Sequence, residues 1–220
     1  MKKESIKIAP SVLSADFSKM GEEIASLESS GADLIHCDVM DGVFVPNITF
    51  GIKMIADIKK TTKLPLDVHL MIVHPEKYVE RFAKAGAEYI TVHYEACKDN
   101  LKDVLLLIRS HGAKCGCVIN PDTSPEMIKD VIPLCDIVVV MSVFPGFGGQ
   151  SFIPSAIDSI KAVKKEADKC GKDILIEVDG GVNFENSFTV KAAGANVLVA
   201  GNTVFSCRDR SYAIKRLREQ

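Results

Sequence analysis

At 220 residues, 47% of them hydrophobic, the chain is long enough to bury one substantial core and fits one large domain, here taken as residues 1–220. Its 27 basic and 29 acidic residues are mixed along the sequence and leave a formal net charge of -2, so there is no block of one sign that would suit nucleic acid or an anionic membrane. The longest aliphatic runs, such as IVVVM, are too short to span a bilayer, and Ser5, Lys7, Pro10 and Asp16 interrupt any apolar leader.

The first strand is expected near 6–10 and runs into PSVLSADF. A glycine fingerprint opening a helix is missing there, which argues against an open dinucleotide-binding sheet. Phe17, Met20, Ile24 and Leu27 then recur at helical spacing, and Gly31 stands where a left-handed C-cap belongs. The second strand, 34–40, ends in HCDVMDG. Residues two apart on a strand share a face, so His36 and Asp38 point one way and Cys37 the other, toward the helices. Asp41 reads as loop chemistry.

Strand 3, near 66–71, carries Asp67 and His69. Pro75 follows at a first-turn position, and Gly86 closes the next helix ahead of a strand at 89–94 that ends in His93. His93 reads as a hydrogen-bonded barrel histidine or as a further metal ligand, whereas His74 and His111 read as loop and helix-end residues. The stripe Leu101, Val104, Leu105 and Ile108 ends at Gly112 and feeds a strand at 114–119. There Cys115 and Cys117 share a face, as small core hydrophobes or as a metal pair. With no C-x-x-C pair and an odd count of seven, the cysteines read as free thiols in a reducing cytoplasm.

Strand 6, at 137–143, runs into SVFPGFGGQSF. A stripe of Ala156, Ile160, Val163 and Ala167 follows, introduced by Pro154 and closed by Gly171. Strand 7, at 174–180, ends with Glu177 and Asp179 in EVDGG, and after Gly194 strand 8, at 197–201, ends in AGN. Eight strands alternating with helices imply parallel strands with crossover helices, and hence a (β/α)8 TIM barrel near the lower end of its size range.

In that fold chemistry sits at the C-terminal strand ends. Strands 2, 3 and 7 deliver two imidazoles and several carboxylates there. Isolated charges in such a space cost several kcal/mol or more, and a divalent cation bound by His nitrogen and carboxylate oxygen removes the difficulty. Taken singly, each His is as well explained as a satisfied core residue and each Asp as a helix N-cap. Asp67 and Glu177 read as inner polar groups without a named partner. Met40, Met71 and Met141 fall beside these groups, as a dry roof or as ordinary core filling. The glycine runs after strands 6, 7 and 8 suit a phosphorylated ligand, because they let backbone N–H groups approach an anion. The stretch from Pro145 to Pro154 is rich enough in glycine to serve as a lid.

The segments APSVLSADF, IHCDVMDGVFVPNITFG, PLDVHLMI, MSVFPGFGGQSF, IEVDGGV and LVAGN together resemble the signature segments of the ribulose-phosphate 3-epimerase family, in order and over nearly the whole chain. The resemblance implies a ribulose-phosphate-binding barrel that interconverts D-ribulose 5-phosphate and D-xylulose 5-phosphate in the pentose phosphate pathway, as a cytoplasmic homo-oligomer. It implies one divalent metal ion per subunit, zinc, iron(II), manganese or cobalt, held by His36, Asp38, His69 and Asp179. Asp38 and Asp179 would also be the acid–base pair. Ser11 and His69 would contact the sugar phosphate, with Gly146, Phe147, Gly148, Gly149, Asp179, Gly180, Gly181, Gly201 and Asn202 around it. Phe144, Asn202 and Thr203 depart from the family pattern. A related epimerase for a six-carbon ketose phosphate such as allulose 6-phosphate is the near alternative, and a sugar-phosphate-binding module without turnover a more distant one. A decarboxylase of the orotidine monophosphate group would need an Asp-x-Lys motif, where this chain has Asp67 and His69.

Overall fold

A computed structural model describes residues 5–219. Its strands are β1 (Lys7–Ala9), β2 (Ile35–Met40), β3 (Leu66–Met71), β4 (Ala87–His93), β5 (Lys114–Ile119), β6 (Ile137–Met141), β7 (Leu175–Asp179) and β8 (Val197–Val199). All neighbours pair in parallel, in the order β1-β8-β7-β6-β5-β4-β3-β2. The ring closes between the two ends of that order. The His36 N–H donates to Pro10 O at 3.1 Å, and Ser11 bridges to His36 in parallel sense. The eight-stranded parallel barrel of the sequence reading is therefore present.

Around it lie α1 (Met20–Ser29), α2 (Ile52–Thr61), α3 (Val79–Lys84), α4 (Tyr94–Cys97), α5 (Leu101–Ser110), α6 (Ala156–Lys169), α7 (Ser187–Ala192), α8 (Asn202–Phe205) and α9 (Arg210–Glu219). The buried residues of α5 and α6 are the ones their stripes pick out. The five glycines at the helix ends, Gly31, Gly86, Gly112, Gly171 and Gly194, all have positive φ, from 63° to 118°, as left-handed caps require. Two local expectations change. Phe17 lies in a short 3-10 turn ahead of α1, 39% exposed, with its ring edge-on to Phe50 at 5.4 Å. Pro154 precedes α6 by two residues and does not open it.

The larger departure lies between β5 and β6. Where alternation demands a helix, the chain forms only two short 3-10 turns, Pro125–Ile128 and Ile132–Leu134. Pro121, Pro125 and Pro133 explain this, because each removes an N–H and restricts the residue before it. Arg109 of α5 braces the segment by donating to Leu134 O at 2.5 Å and Asp136 Oδ2 at 3.1 Å.

Two cores result. Outward strand residues such as Cys37, Val68, Ile90, Cys117, Val138 and Leu198 meet the helices in one continuous shell. Inward residues fill the barrel: Ala9, Leu34, Tyr89, Ile137, Val197 and Val199 form an apolar plug, and Val118, Val139, Met141 and Val143 line one wall. All seven cysteines are free thiols. Cys115 and Cys117 pack in the outer shell, and among the described residues no metal-sized cluster includes them. No described helix is long and apolar enough to cross a membrane.

Gly116 on β5 faces inward, and a Cβ there would sit 2.5 Å from Ile137 Cγ2, 2.6 Å from Ile137 O and 2.8 Å from Thr91 Cγ2. Overpacking of this kind costs about 1–3 kcal/mol. Gly116→Ala is therefore expected to lower Tm by at least about 2 °C, read by thermal unfolding; an unchanged Tm would show that β5 moves outward without cost.

Candidate active site

Strand pairing brings the ionisable residues into two layers. In the β2–β3 register His36 stands beside Asp67, and Asp38 beside His69; β6 pairs Val139 with Glu177 and Met141 with Asp179 on β7. Period-two alternation turns all of them inward. Cys37, between His36 and Asp38, packs in the outer shell as its parity requires.

In the upper layer His36, Asp38, His69 and Asp179 converge. His36 Nε2 lies 3.3 Å from Asp38 Oδ1 and 3.6 Å from Asp179 Oδ2. His69 Nδ1 lies 3.3 Å from Asp38 Oδ1 and 3.5 Å from Asp179 Oδ2. Despite these approaches, neither nitrogen finds a hydrogen-bond partner of acceptable geometry, although both are buried. These four separations, 3.3–3.6 Å, are close to the ligand–ligand spacing of about 3.4 Å around a tetrahedral ion with bonds of about 2.1 Å, and all four ligand atoms lie within 4.8 Å of one another. Two unsatisfied imidazole nitrogens and two carboxylates fit a divalent cation of the zinc, iron(II), manganese or cobalt type.

The electrostatics agree with one coupled group. Burial alone would push the His36 imidazole down, but Asp38, Asp67 and Glu177 around it hold it well above the usual histidine range. Burial would likewise raise Asp38 and Asp179; His36 and His69 hold both below the ordinary carboxylate range. His69 is raised, because Asp179 and Asp38 outweigh its burial. Glu177 is raised well above its usual range by burial and by the neighbouring Asp67 charge. A shared positive centre thus serves the upper carboxylates, while Glu177 beneath them is biased toward its neutral form.

Above the cluster opens a cavity of about 210 Å³. Ser11, Asp38, Asp179, Gly146, Phe147, Gly148, Gly149, Gly180, Gly181, Gly201 and Asn202 all line it. Met40, Met71 and Met141 are buried and line its wall. His36 and His69 do not reach it: both have no exposed surface and lie beneath the two aspartates. Ser11 Oγ donates to Asp38 Oδ2 at 2.5 Å and so fixes that carboxylate from the cavity side. Gly181 has φ +63°, and a Cβ on it would fall 2.5 Å from Phe152 N, so glycine is what lets the turn after β7 touch the 145–154 loop. Gln150 donates to Phe144 O and Phe147 O at 2.7 and 2.9 Å, and Asn47 to Gly146 O at 2.9 Å, shaping the loop that carries Phe144 and Phe147 at the rim. Asn202 Oδ1 accepts from Ser14 Oγ at 3.3 Å, while Thr203 donates to Val182 O at 2.7 Å. Both departures from the family pattern after Gly201 thus hydrogen-bond to loop residues of the cavity wall, Asn202 to Ser14 and Thr203 to Val182.

The structure supplies partners that spacing left open. Asp67 Oδ2 sits 2.6 Å from His36 Nδ1, and Glu177 Oε1 lies 3.4 Å from the same nitrogen. His93 Nε2 is 2.8 Å from His69 Nε2, and His93 Nδ1 is 3.1 Å from Glu95 Oε2. Burial, together with the nearby His69, lowers His93 to about 4 against the pull of Glu95. Glu95 is the residue sequence reasoning passed over; its signal was the two-residue spacing from His93 at a strand end, the spacing that marked His36 and Asp38. Asp41 caps its loop, accepting from the Val43, Phe44 and Val73 amides at 2.8, 2.9 and 2.8 Å. His74 lies in the loop after β3 and His111 at the end of α5.

Residues 7–205 match the model of the Ribulose-phosphate 3 epimerase family. The chain is 53% identical over 214 residues to a ribulose-phosphate 3-epimerase of Bacillus subtilis, covering 97% of this chain and 98% of that one. It is 51% identical to one of Synechocystis, with 98% and 94% covered. The chloroplastic ribulose-5-phosphate-3-epimerase of Arabidopsis thaliana is 48% identical, over 98% of this chain and 77% of that protein. Among solved structures, a mutant tryptophan synthase α-subunit from Pyrococcus furiosus superimposes with a TM-score of 0.71 at 15% identity, covering 98% and 97% of the two chains. A 3-hexulose-6-phosphate synthase does so at 0.67 and 20%, with 97% and 98% covered. Those two likenesses concern the fold alone.

Proposed function

The chain belongs to the ribulose-phosphate 3-epimerase family of isomerases, and on that footing we propose that it interconverts D-ribulose 5-phosphate and D-xylulose 5-phosphate by two-aspartate proton transfer at C3. The reading rests on one observation above the others: Asp38 and Asp179, from strands on different sides of the barrel, each approach both His36 Nε2 and His69 Nδ1 at the floor of a glycine-walled cavity.

Inverting C3 of a ketose phosphate means removing the proton next to the C2 carbonyl and returning one on the other face. One fixed base serves a single face. Two carboxylates on opposite sides of the sugar divide the work: one abstracts as carboxylate while the other, protonated, delivers, and the reverse reaction exchanges them. The pair therefore cycles through unlike protonation states and titrates as a unit. Ser11 keeps Asp38 aimed at the cavity by its hydrogen bond to Oδ2. His36, Asp38, His69 and Asp179 would hold one divalent ion per subunit, zinc, iron(II), manganese or cobalt. When bound, such an ion supplies Lewis-acid stabilisation to the negative charge that develops on O2 and O3. The buried methionines exclude water from the same place.

Backbone N–H groups at Gly146, Gly148, Gly149, Gly180, Gly181 and Gly201, with the Asn202 amide, form the phosphate end of the site in this reading. Phe147 closes over the sugar, and His69 acts from below through the aspartates. The reaction belongs to the pentose phosphate pathway in the cytoplasm, carried out by one barrel domain of residues 1–220 in a homo-oligomer.

In deuterated water, ribulose 5-phosphate is expected to return as product labelled at C3, read by NMR or mass spectrometry; metal-loaded protein that yields no label would mean a binding module without turnover. Asp38→Asn and Asp179→Asn are each expected to lower kcat by about 10²–10⁴-fold with Tm close to that of the parent, and full activity in either would remove that residue from the pair. Dialysis against a chelator should abolish turnover, and zinc, manganese or cobalt should restore it; activity that survives complete metal removal would refute the metal requirement. On a six-carbon ketose 6-phosphate kcat/KM is expected to fall below that on the pentose, and the opposite preference would reassign the substrate.

A further inference from the structure

The two imidazoles of the cluster face it through different nitrogens, His36 with Nε2 and His69 with Nδ1. A neutral imidazole offers a lone pair on one nitrogen only, so each ring must carry its proton on the far side, and the far sides differ. Behind His36, the nearest group is Asp67, whose Oδ2 lies 2.6 Å from Nδ1. A carboxylate only accepts, so this contact is N–H···O, and in the neutral ring that a bound cation requires it leaves Nε2 as the lone pair. Behind His69 there is no carboxylate. Its Nε2 meets His93 Nε2 at 2.8 Å, and of two such nitrogens one must donate.

Glu95 decides which. Its Oε1 accepts from the Asn120 amide at 2.8 Å and from the Thr123 hydroxyl, and Oε2 faces His93 Nδ1 at 3.1 Å. The His93 proton therefore sits on Nδ1. His69, fully buried and stacked on His93 with centroids 5.0 Å apart, turns Nδ1 to the cluster, so in the tautomer that offers a lone pair there its own proton is on Nε2. His93 Nε2 then accepts, His69 Nε2 donates, and the His69 Nδ1 lone pair points at Asp38 and Asp179.

We propose that Asp67, His93 and Glu95 are positioning residues that lock His36 and His69 in opposite tautomers, so that both rings present a lone pair to one divalent ion. This rests on the metal reading above and adds to it the groups that make the donor set usable. The lower group of His36, Asp67 and Glu177 is by the same account no second metal site, because its imidazole nitrogen already donates to Asp67.

The test is NMR of the full chain, labelled with ¹⁵N-histidine and loaded with ¹¹³Cd. One equivalent of cadmium is expected, coupled to His36 Nε2 and His69 Nδ1, with protons retained on His36 Nδ1 and His69 Nε2. Coupling to either of the other two nitrogens, or a second bound cadmium at Asp67 and Glu177, overturns the proposal. Failure to bind cadmium at all sinks the metal reading and this proposal together. Glu95→Gln separates positioning from packing. It is isosteric, but its carbonyl oxygen is claimed by Asn120 and Thr123, so its NH₂ faces His93 Nδ1 and reverses the relay. Zinc affinity, measured by chelator competition, is expected to fall about 10–100-fold with Tm near the parent value; parental affinity in Glu95→Gln would overturn the role of Glu95.

Discussion

Everything at the open end of this barrel depends on holding four carboxylates and three imidazoles in one desolvated space. Asp38, Asp67, Glu177, His36, His69 and His93 are each at most 4% exposed, and the Asp179 side chain, at the cavity floor, is 14% exposed. Such groups destabilise a fold unless each is paired, because burial removes several kcal/mol of hydration per ion. Here the pairing is collective: His36 contacts three β-strands' worth of acids at once, Asp38, Asp67, Glu177 and Asp179. The continuous shell of apolar residues between strands and helices offsets that cost. Because each imidazole is shared among several acids, no charge in the cluster depends on one partner alone, and the site behaves as a unit.

The division of the interior explains how a polar centre survives. The lower barrel is plugged by Tyr89, Ile137, Leu34 and the valines of β8, and the β5–β6 side stays aliphatic. Ionisable residues come from β2, β3, β4 and β7, where inward positions converge over the plug. The plug closes the barrel from below, and the cavity framed by glycine loops opens onto Asp38 and Asp179 from above. Hydrogen bonds tie those loops to the strand ends: Ser142 donates through its amide to Asp179 O and through its hydroxyl to Gly180 O, and Thr49 Oγ1 donates to Asp38 O. The two aspartates thus have their backbone carbonyls fixed by side chains from other segments, and Asp38 has its carboxylate held by Ser11 as well. Catalysis by pre-placed groups needs this rigidity, since misplacement by about 1 Å costs rate heavily.

The repeat of strand and helix was legible in the chain itself, because glycine caps and apolar periodicity are local properties. So were His36, Asp38, His69 and Asp179 as residues sharing inward parity at strand ends, and the glycine runs that now line the cavity. The missing helix between β5 and β6 was legible in principle from Pro121, Pro125 and Pro133, but regular alternation concealed it. Asp67 and Glu177 stood out as inward acids with no visible partner, and Glu95 did not stand out at all.

What sequence alone determined is which side chains are chemically able and which face of a strand they share, since both follow from residue type and a two-residue period. What tertiary structure decided is who meets whom. That His36 backs onto Asp67, that His69 backs onto His93 and through it Glu95, and that Asp38 meets Asp179 across the barrel, all depend on the register between strands and on ring closure at Ser11 and His36. A shift of one residue in any strand would turn its inward set to the helices. No local signal in a single chain encodes that register; it is set by packing the whole ring at once.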